Sequence, residues 1–324
     1  MRLYSGQGVS VSKRDLQVPL FEAPGRLFAP ENYVAEKGLT DAVNVAIALG
    51  QPLLVTGDPG TGKTQLAASV ACELELPSPL LFHAKTTSTA KDLFYRYDAL
   101  GHFHDSQFRK DQVEMESYIA YEALGLAILL SLPSAEGDPF LPVMVRGKGP
   151  TRTVVLIDEI DKAPRDFPND ILNEIEMLSF TVRETGRSFA TSTSYRPIVI
   201  LTSNSEKNLP DAFLRRCIFY HISFPSRERL KEIVARRLEP DDQFTSEMLD
   251  RALDHFEEVR ALSLTKKPAT AECLAWLRVL RQMKVDPGNL KPGQAEALSI
   301  SYSVLAKSRD DLAKLQRGLA AKSG

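Results

Sequence analysis

Cysteine is scarce in this chain: Cys72, Cys217 and Cys273 are the three it has in 324 residues. They lie far apart in no metal-ligand spacing, so a cysteine-built metal site is not expected. Reduced thiols in a cytoplasmic protein are the expectation. An excess of charge of one sign is lacking too, with 40 Lys and Arg against 42 Asp and Glu. The formal net charge of −2 provides no overall basic field to attract nucleic acid or an anionic membrane. No apolar run approaches the ~20 residues of a membrane span. The longest, Ala123 to Leu132, is short and contains Gly125. Met1-Arg2-Leu3-Tyr4-Ser5 lacks the apolar stretch of a secretory signal. Internal repeats and low-complexity tracts are absent. What remains is an ordinary globular composition, 43% hydrophobic and 25% charged, with length enough for about two domains.

The strongest local signal is Gly57-Asp58-Pro59-Gly60-Thr61-Gly62-Lys63-Thr64, entered from the apolar run Leu53-Leu54-Val55. Strand, glycine-rich turn and helix in this order make a phosphate-binding loop. The glycines let successive backbone N–H groups turn toward phosphate oxygens, and the next helix adds its positive end. Lys63 is expected at the β- and γ-phosphates, and the Thr64 hydroxyl at Mg²⁺. The pattern implies binding of a nucleoside triphosphate.

Elsewhere, Leu80–Ala84, Val154–Ile157, Pro197–Leu201 and Ile218–Ile222 read as short buried strands alternating with helices. That argues for an α/β core, a parallel sheet flanked by helices. A helix is predicted over Ala42–Leu49, capped by Thr40 or Asp41 and stopped by Gly50; others over Val113–Leu132 and Asn169–Met177. Phe180 to Tyr195, around Glu184-Thr185-Gly186-Arg187, suggests a β-hairpin. After Pro225 the strand signals stop. The expected division is an extended arm over 1–34, an α/β core over 35–225 and a helical domain over 226–324. Trp276 with Leu274, Leu277 and Leu280 reads as core of the last.

Asp158 and Glu159 end the Val154 strand, where open α/β sheets bind ligands. Asp158 fits a carboxylate that orders Mg²⁺ through water, and Glu159 a group that polarises the attacking water. Asn204 ends the next strand and fits a hydrogen bond to that water or to the γ-phosphate. Arg215-Arg216 follow in the order that ring ATPases use for arginines reaching a neighbouring subunit's γ-phosphate.

In this order the motifs resemble an AAA+ ATPase, and more narrowly the MoxR family. Asp158-Glu159-Ile160-Asp161-Lys162-Ala163-Pro164, the 180–195 hairpin and Leu209-Pro210-Asp211-Ala212 carry that resemblance. It implies a P-loop AAA+ core with an insert in 86–150, a C-terminal all-α lid, ATP and Mg²⁺ as ligands, and ATP hydrolysis. It also implies a homo-oligomeric ring, a hexamer, that remodels a protein client, and a separate von Willebrand factor A-domain partner. No membrane and no nucleic acid are expected.

The chain departs from the family at Arg215, where an acid is usual, so Arg215 and Arg216 both stand as finger candidates, Arg216 favoured. It departs again at Thr265–Thr270, where Lys267 stands for the lid sensor arginine. Residues 86–95 suggest a divergent subgroup. Two other readings stay open: a nucleic-acid motor of the same branch, marked by a basic stripe of Lys85, Lys91, Arg96, Arg109 and Lys110, and a non-hydrolysing nucleotide-gated scaffold. Phe94, Tyr95, Tyr97 and Phe103 form either a docking surface or the packing of the insert on the core. His102 and His104 read as solvated loop residues, and Arg227-Glu228-Arg229 and Arg236-Arg237 as solvated helix faces.

Overall fold

A computed structural model of the chain describes residues 25–108, 114–205, 209–238 and 245–323. These form two compact units. One is Ala35–Ser223; the other joins residues 25–34 to residues 224–323.

The first unit is α/β. Its strands in chain order are β1 (Leu53–Gly57), β2 (Leu80–His83), β3 (Tyr95–Tyr97), β4 (Ile119–Tyr121), β5 (Val154–Asp158), β6 (Ser179–Thr181), β7 (Ser188–Ala190), β8 (Ile198–Thr202) and β9 (Ile218–Ile222). Five make one parallel sheet in the order β2-β5-β8-β1-β9. The three inner strands are buried at every residue. A parallel strand covered on both faces needs apolar side chains on both, hence the unbroken runs Leu53-Leu54-Val55 and Val154–Ile157. The edge strands alternate, exposing Leu81 and His83 on β2 and Phe219 and His221 on β9. Helices Lys37–Leu49, Lys63–Glu73 and Ala123–Ser131 pack against the sheet. The first begins at Lys37 with no side-chain cap, earlier than Thr40 or Asp41 suggested. It stops at Gly50, whose φ of 62° sends its N–H back to the Ala46 and Ile47 carbonyls.

The insert corrects the predicted helix over Val113–Leu132. Val113 lies outside the described residues, Met115–Tyr118 is a 3₁₀ turn, Ile119–Tyr121 is β4, and the helix spans Ala123–Ser131. The reason is non-local. β4 pairs antiparallel with β3, Tyr121 opposite Tyr95, and the Glu122 N–H then bonds the Phe94 carbonyl at 2.8 Å. Gly125 lets the helix settle there, since a Cβ at that position would meet the Phe94 carbonyl oxygen at 2.0 Å. The predicted Asn169–Met177 helix is two short ones, Phe167–Asp170 and Leu172–Met177, parted at buried Ile171.

β6 and β7 form the hairpin, with Phe180 opposite Phe189. Its tip is held to the insert by Glu184, which accepts from Lys91 Nζ at 2.6 Å and the Tyr95 hydroxyl at 2.8 Å. This decides the aromatic cluster. Phe94 and Tyr95 are 3% and 2% exposed and pack on Phe180, so they hold insert to hairpin. Phe103 alone of the four is strongly exposed, on helix Ala99–Phe108. His102 sits on that helix, not in a loop, and its Nδ1 shares a 2.5 Å hydrogen bond with the Tyr97 hydroxyl.

In the second unit, helices Arg227–Arg237, Ser246–Ala261, Thr270–Met283, Gln294–Leu305 and Arg309–Ser323 enclose Trp276, Leu277, Leu280, Phe256 and Tyr302. Ser226 and Thr245 cap the first two with their side-chain oxygens. Residues 1–24 of the expected arm lie outside the described residues. The rest of it is not extended. Gly25–Phe28 is helical, and Arg237 and Arg229 donate to the carbonyls of Leu27 and Val34 at 2.7 and 3.0 Å. Arg237 is therefore buried, not part of a solvated face.

Candidate functional site

Strand β1 delivers the chain into the loop at its C-terminal end. Gly57 turns at φ 144°, and a Cβ there would come within 2.6 Å of the Ile222 carbonyl oxygen on β9. Only glycine fits. Gly60 and Gly62 also take positive φ, and Gly62 is the N-cap of helix Lys63–Glu73. The loop thus ends on the positive pole of that helix, suited to an anion. Asp58, Pro59 and Gly60 are exposed along its outer curve, and the Thr61 hydroxyl donates to the Asp58 carbonyl at 2.9 Å.

Parallel register brings the ends of four strands level. Val55 lies beside Thr202, Ile157 beside Leu201, and His83 beside Asp158. Around that line the side chains converge. Lys63 is buried, and its Nζ donates to the carbonyls of Gly57 (2.6 Å) and Asp58 (3.0 Å) and to Asn204 Oδ1 (3.0 Å). Burial pushes its pKa below the ordinary lysine value, while the charges of Asp161, Asp158, Asp58 and Glu159 work the other way. The Thr64 hydroxyl donates to Asp158, 3.1 and 3.2 Å from its two oxygens. A hydroxyl and a carboxylate in contact are hard oxygen donors, the set that suits Mg²⁺. Thr64, and Asp158 through water, would hold the ion there, and when bound it neutralises charge on the phosphate oxygens.

Glu159 follows at φ 57°, in the left-handed region that non-glycine residues rarely occupy. Its carboxylate is paired with Lys162, whose pKa the pair raises. The Asn204 N–H donates to Asp161 Oδ1 at 3.1 Å. Two neighbours carried no signal in the sequence. Thr202 Oγ1 donates to Asp158 Oδ1 at 2.5 Å and accepts from the Glu159 N–H at 2.9 Å. His83 Nδ1 lies 3.4 Å from Asp158 Oδ2. Both reach the site through strand pairing alone.

Arg215 and Arg216 do not join this group. They precede β9, whose first residue, Ile218, lies beside Leu53 and whose last, Ile222, lies beside Gly57. They stand at the opposite end of the sheet from the loop. Arg215 is exposed, and Arg216 Nε donates to Glu176 at 2.9 Å. Lys267 is an exposed residue of the helical unit, in a loop whose Thr265 and Lys266 N–H groups donate to Asp311. In the basic stripe, Lys91 pairs with Glu184 and Arg96 with Glu122; Arg109 and Lys110 lie outside the described residues.

Compared with known proteins, the chain has no match in sequence among curated ones. Among solved structures, a variant of RuvB from Thermotoga maritima is 17% identical with a TM-score of 0.42, over 83% of this chain and 67% of that one. The AAA domain of FIGL-1 is 15% identical with a TM-score of 0.41, over 89% of this chain and 87% of that one. Neither likeness carries an argument by itself. The assignment rests on the sequence model of the AAA domain (dynein-related subfamily), which matches residues 52–217, from β1 through both carboxylates to the arginine pair. The chain belongs to that family of P-loop nucleotide-binding ATPases.

Proposed function

We propose that this chain is a MoxR-like AAA+ ATPase that hydrolyses ATP in a ring and uses the energy to remodel a protein client. The observation that carries the reading is the convergence of Lys63, Thr64, Asp158 and Asn204 at the C-terminal ends of β1, β5 and β8. Lys63 faces the β- and γ-phosphates. Asn204, bonded to Lys63, orients the attacking water, and Glu159 takes its proton once released from Lys162. The site is completed in trans by Arg216, or Arg215, of an adjacent copy, since neither lies near its own loop.

The hairpin and insert, locked together through Glu184 and Phe180, form the part that moves a client. The pairing of Lys91 and Arg96 with acids favours a protein client over nucleic acid. A von Willebrand factor A-domain protein is the partner the family resemblance supplies. Phosphate release decides the enzymatic reading. Wild type is expected to release phosphate from ATP with MgCl₂. Glu159→Gln should bind ATP yet turn over ~10²–10⁴-fold more slowly, because an amide cannot accept the proton. Equal rates would remove Glu159 from the mechanism, and no release by wild type would favour a nucleotide-gated scaffold. ATP-loaded Glu159→Gln in a pull-down should retain protein; retention of nucleic acid would reverse the client assignment.

A further inference from the structure

We infer that Thr202 is a positioning residue for hydrolysis, a single hydroxyl that fixes both carboxylate-bearing residues of the Asp158–Glu159 pair. The inference rests on the ATPase reading above. Thr202 is the last residue of β8 and is fully buried. Its bonds have only one possible direction. An ionised carboxylate can only accept and a backbone N–H can only donate. So the hydroxyl proton goes to Asp158 Oδ1, at 2.5 Å, and an oxygen lone pair receives the Glu159 N–H, at 2.9 Å.

Each bond restrains something the local sequence leaves free. The terminal torsion of an aspartate is broad, so strand geometry alone does not set the plane of its carboxylate. Thr202 pins Oδ1, while the Thr64 hydroxyl lies against both oxygens and His83 beside Oδ2. The Glu159 N–H belongs to the residue whose φ is 57°. Anchoring that amide holds a backbone turn that few non-glycine residues adopt, and with it the origin of the Glu159 side chain. The same bonds tie β5 to β8, two residues before Asn204. The chain therefore places the ion's carboxylate, the base and the water-orienting amide relative to one another through one buried oxygen.

Valine matches threonine in shape without the hydroxyl; serine keeps the hydroxyl without the methyl. The test compares Thr202→Val and Thr202→Ser with wild type, using ADP affinity by calorimetry with and without MgCl₂, and steady-state ATP turnover. Thr202→Val should melt cooperatively and bind ADP without Mg²⁺ as wild type does. It should lose most of the Mg²⁺-dependent gain in affinity, and kcat should fall ~10–100-fold, the scale for groups that orient metal ligands. KM should move far less. Thr202→Ser should recover both quantities to within about threefold. A folded Thr202→Val with the wild-type Mg²⁺ response and kcat overturns the inference. So does a Thr202→Ser as impaired as Thr202→Val, which would assign the effect to methyl packing. If Thr202→Val does not fold, Thr202→Ala replaces it with the same expectations. Failure of both to fold, with serine folding, would make the hydroxyl a folding requirement and overturn the positioning role. The ADP measurement needs binding alone, so a wild type that binds but does not hydrolyse defeats the ATPase reading while still testing Thr202.

Discussion

Replacing Arg216 by alanine tests the trans arrangement most directly. β9 has five residues and runs parallel to β1, from beside Leu53 to beside Gly57. At about 3.3 Å per residue its ends are ~13 Å apart. Arg216 stands two residues before β9, further from the loop than an arginine side chain extends. At rest it is tethered to Glu176 by an ion pair whose partners are 41% and 56% exposed. Exposed pairs are worth about 0.2–1 kcal/mol, so giving up the Glu176 pair costs a factor of at most about five, and Nη1 also leaves the Ala212 carbonyl, 3.1 Å away. An arginine supplied in trans is worth ~10³–10⁵ in rate in GTPases, which outweighs the tether by far. Arg216→Ala is therefore expected to keep its ATP affinity within a few-fold and lose most turnover, and Glu176→Ala to change turnover by less than about fivefold. Mixing Arg216→Ala with Lys63→Ala chains is the deciding assay. Each lacks a different half of the site, so mixed rings regain some intact interfaces. No recovery of phosphate release at any ratio, with mixed rings shown to form by native mass spectrometry, would refute the reasoning. Recovery with Arg215→Ala in place of Arg216→Ala, and none with the latter, would move the role one residue.

The remaining expectations concern the loop and the insert. Lys63→Ala should weaken ATP binding about 10–100-fold by calorimetry, the scale of a lost charge-assisted hydrogen bond; unchanged affinity would mean the phosphates lie elsewhere. Gly125→Ala should lower the melting temperature of the α/β unit by ~2–6 °C, because a methyl 2.0 Å from the Phe94 carbonyl overpacks by more than the better helix propensity of alanine returns. An unchanged or raised melting temperature would refute that contact.

The phosphate loop and the Asp158-Glu159 pair were each legible because each is contiguous in the chain; that they meet depends on the register of β1, β8 and β5. The inner strands were legible for a related reason, since burial on both faces leaves an unbroken apolar run. What could not be read depends on partners distant in the chain. Thr202 acquires its role from the register of β5 and β8. Ile119–Tyr121 leaves a helical pattern because Tyr95–Tyr97 offers a strand to pair with. Phe94 and Tyr95 looked equally suited to docking or packing until Phe180, on the hairpin, covered them. Arg237 read as solvated because the Leu27 carbonyl and the Tyr33 ring, which compensate its charge, lie some 200 residues earlier. Each misreading is a case of tertiary pairing overriding local pattern.

The strand order also bears on how the chain is made. β1 is the first strand of the sheet to be synthesised, yet its neighbours β8 and β9 are the last. Until residues 198–222 have emerged, both edges of β1 stay unpaired, and Gly57 has no Ile222 against which to set its turn. Closure over such sequence separations is slow, and an open apolar strand is an invitation to wrong pairing while it waits. The nascent protein therefore passes through a long interval with its nucleotide-loop sequence complete but unformed. Ribosome-bound chains ending before β8 should fail to retain nucleotide, and the capacity should appear only once β9 has cleared the exit tunnel. For this topology, a chaperone's most useful moment comes during translation, between β1 and β8.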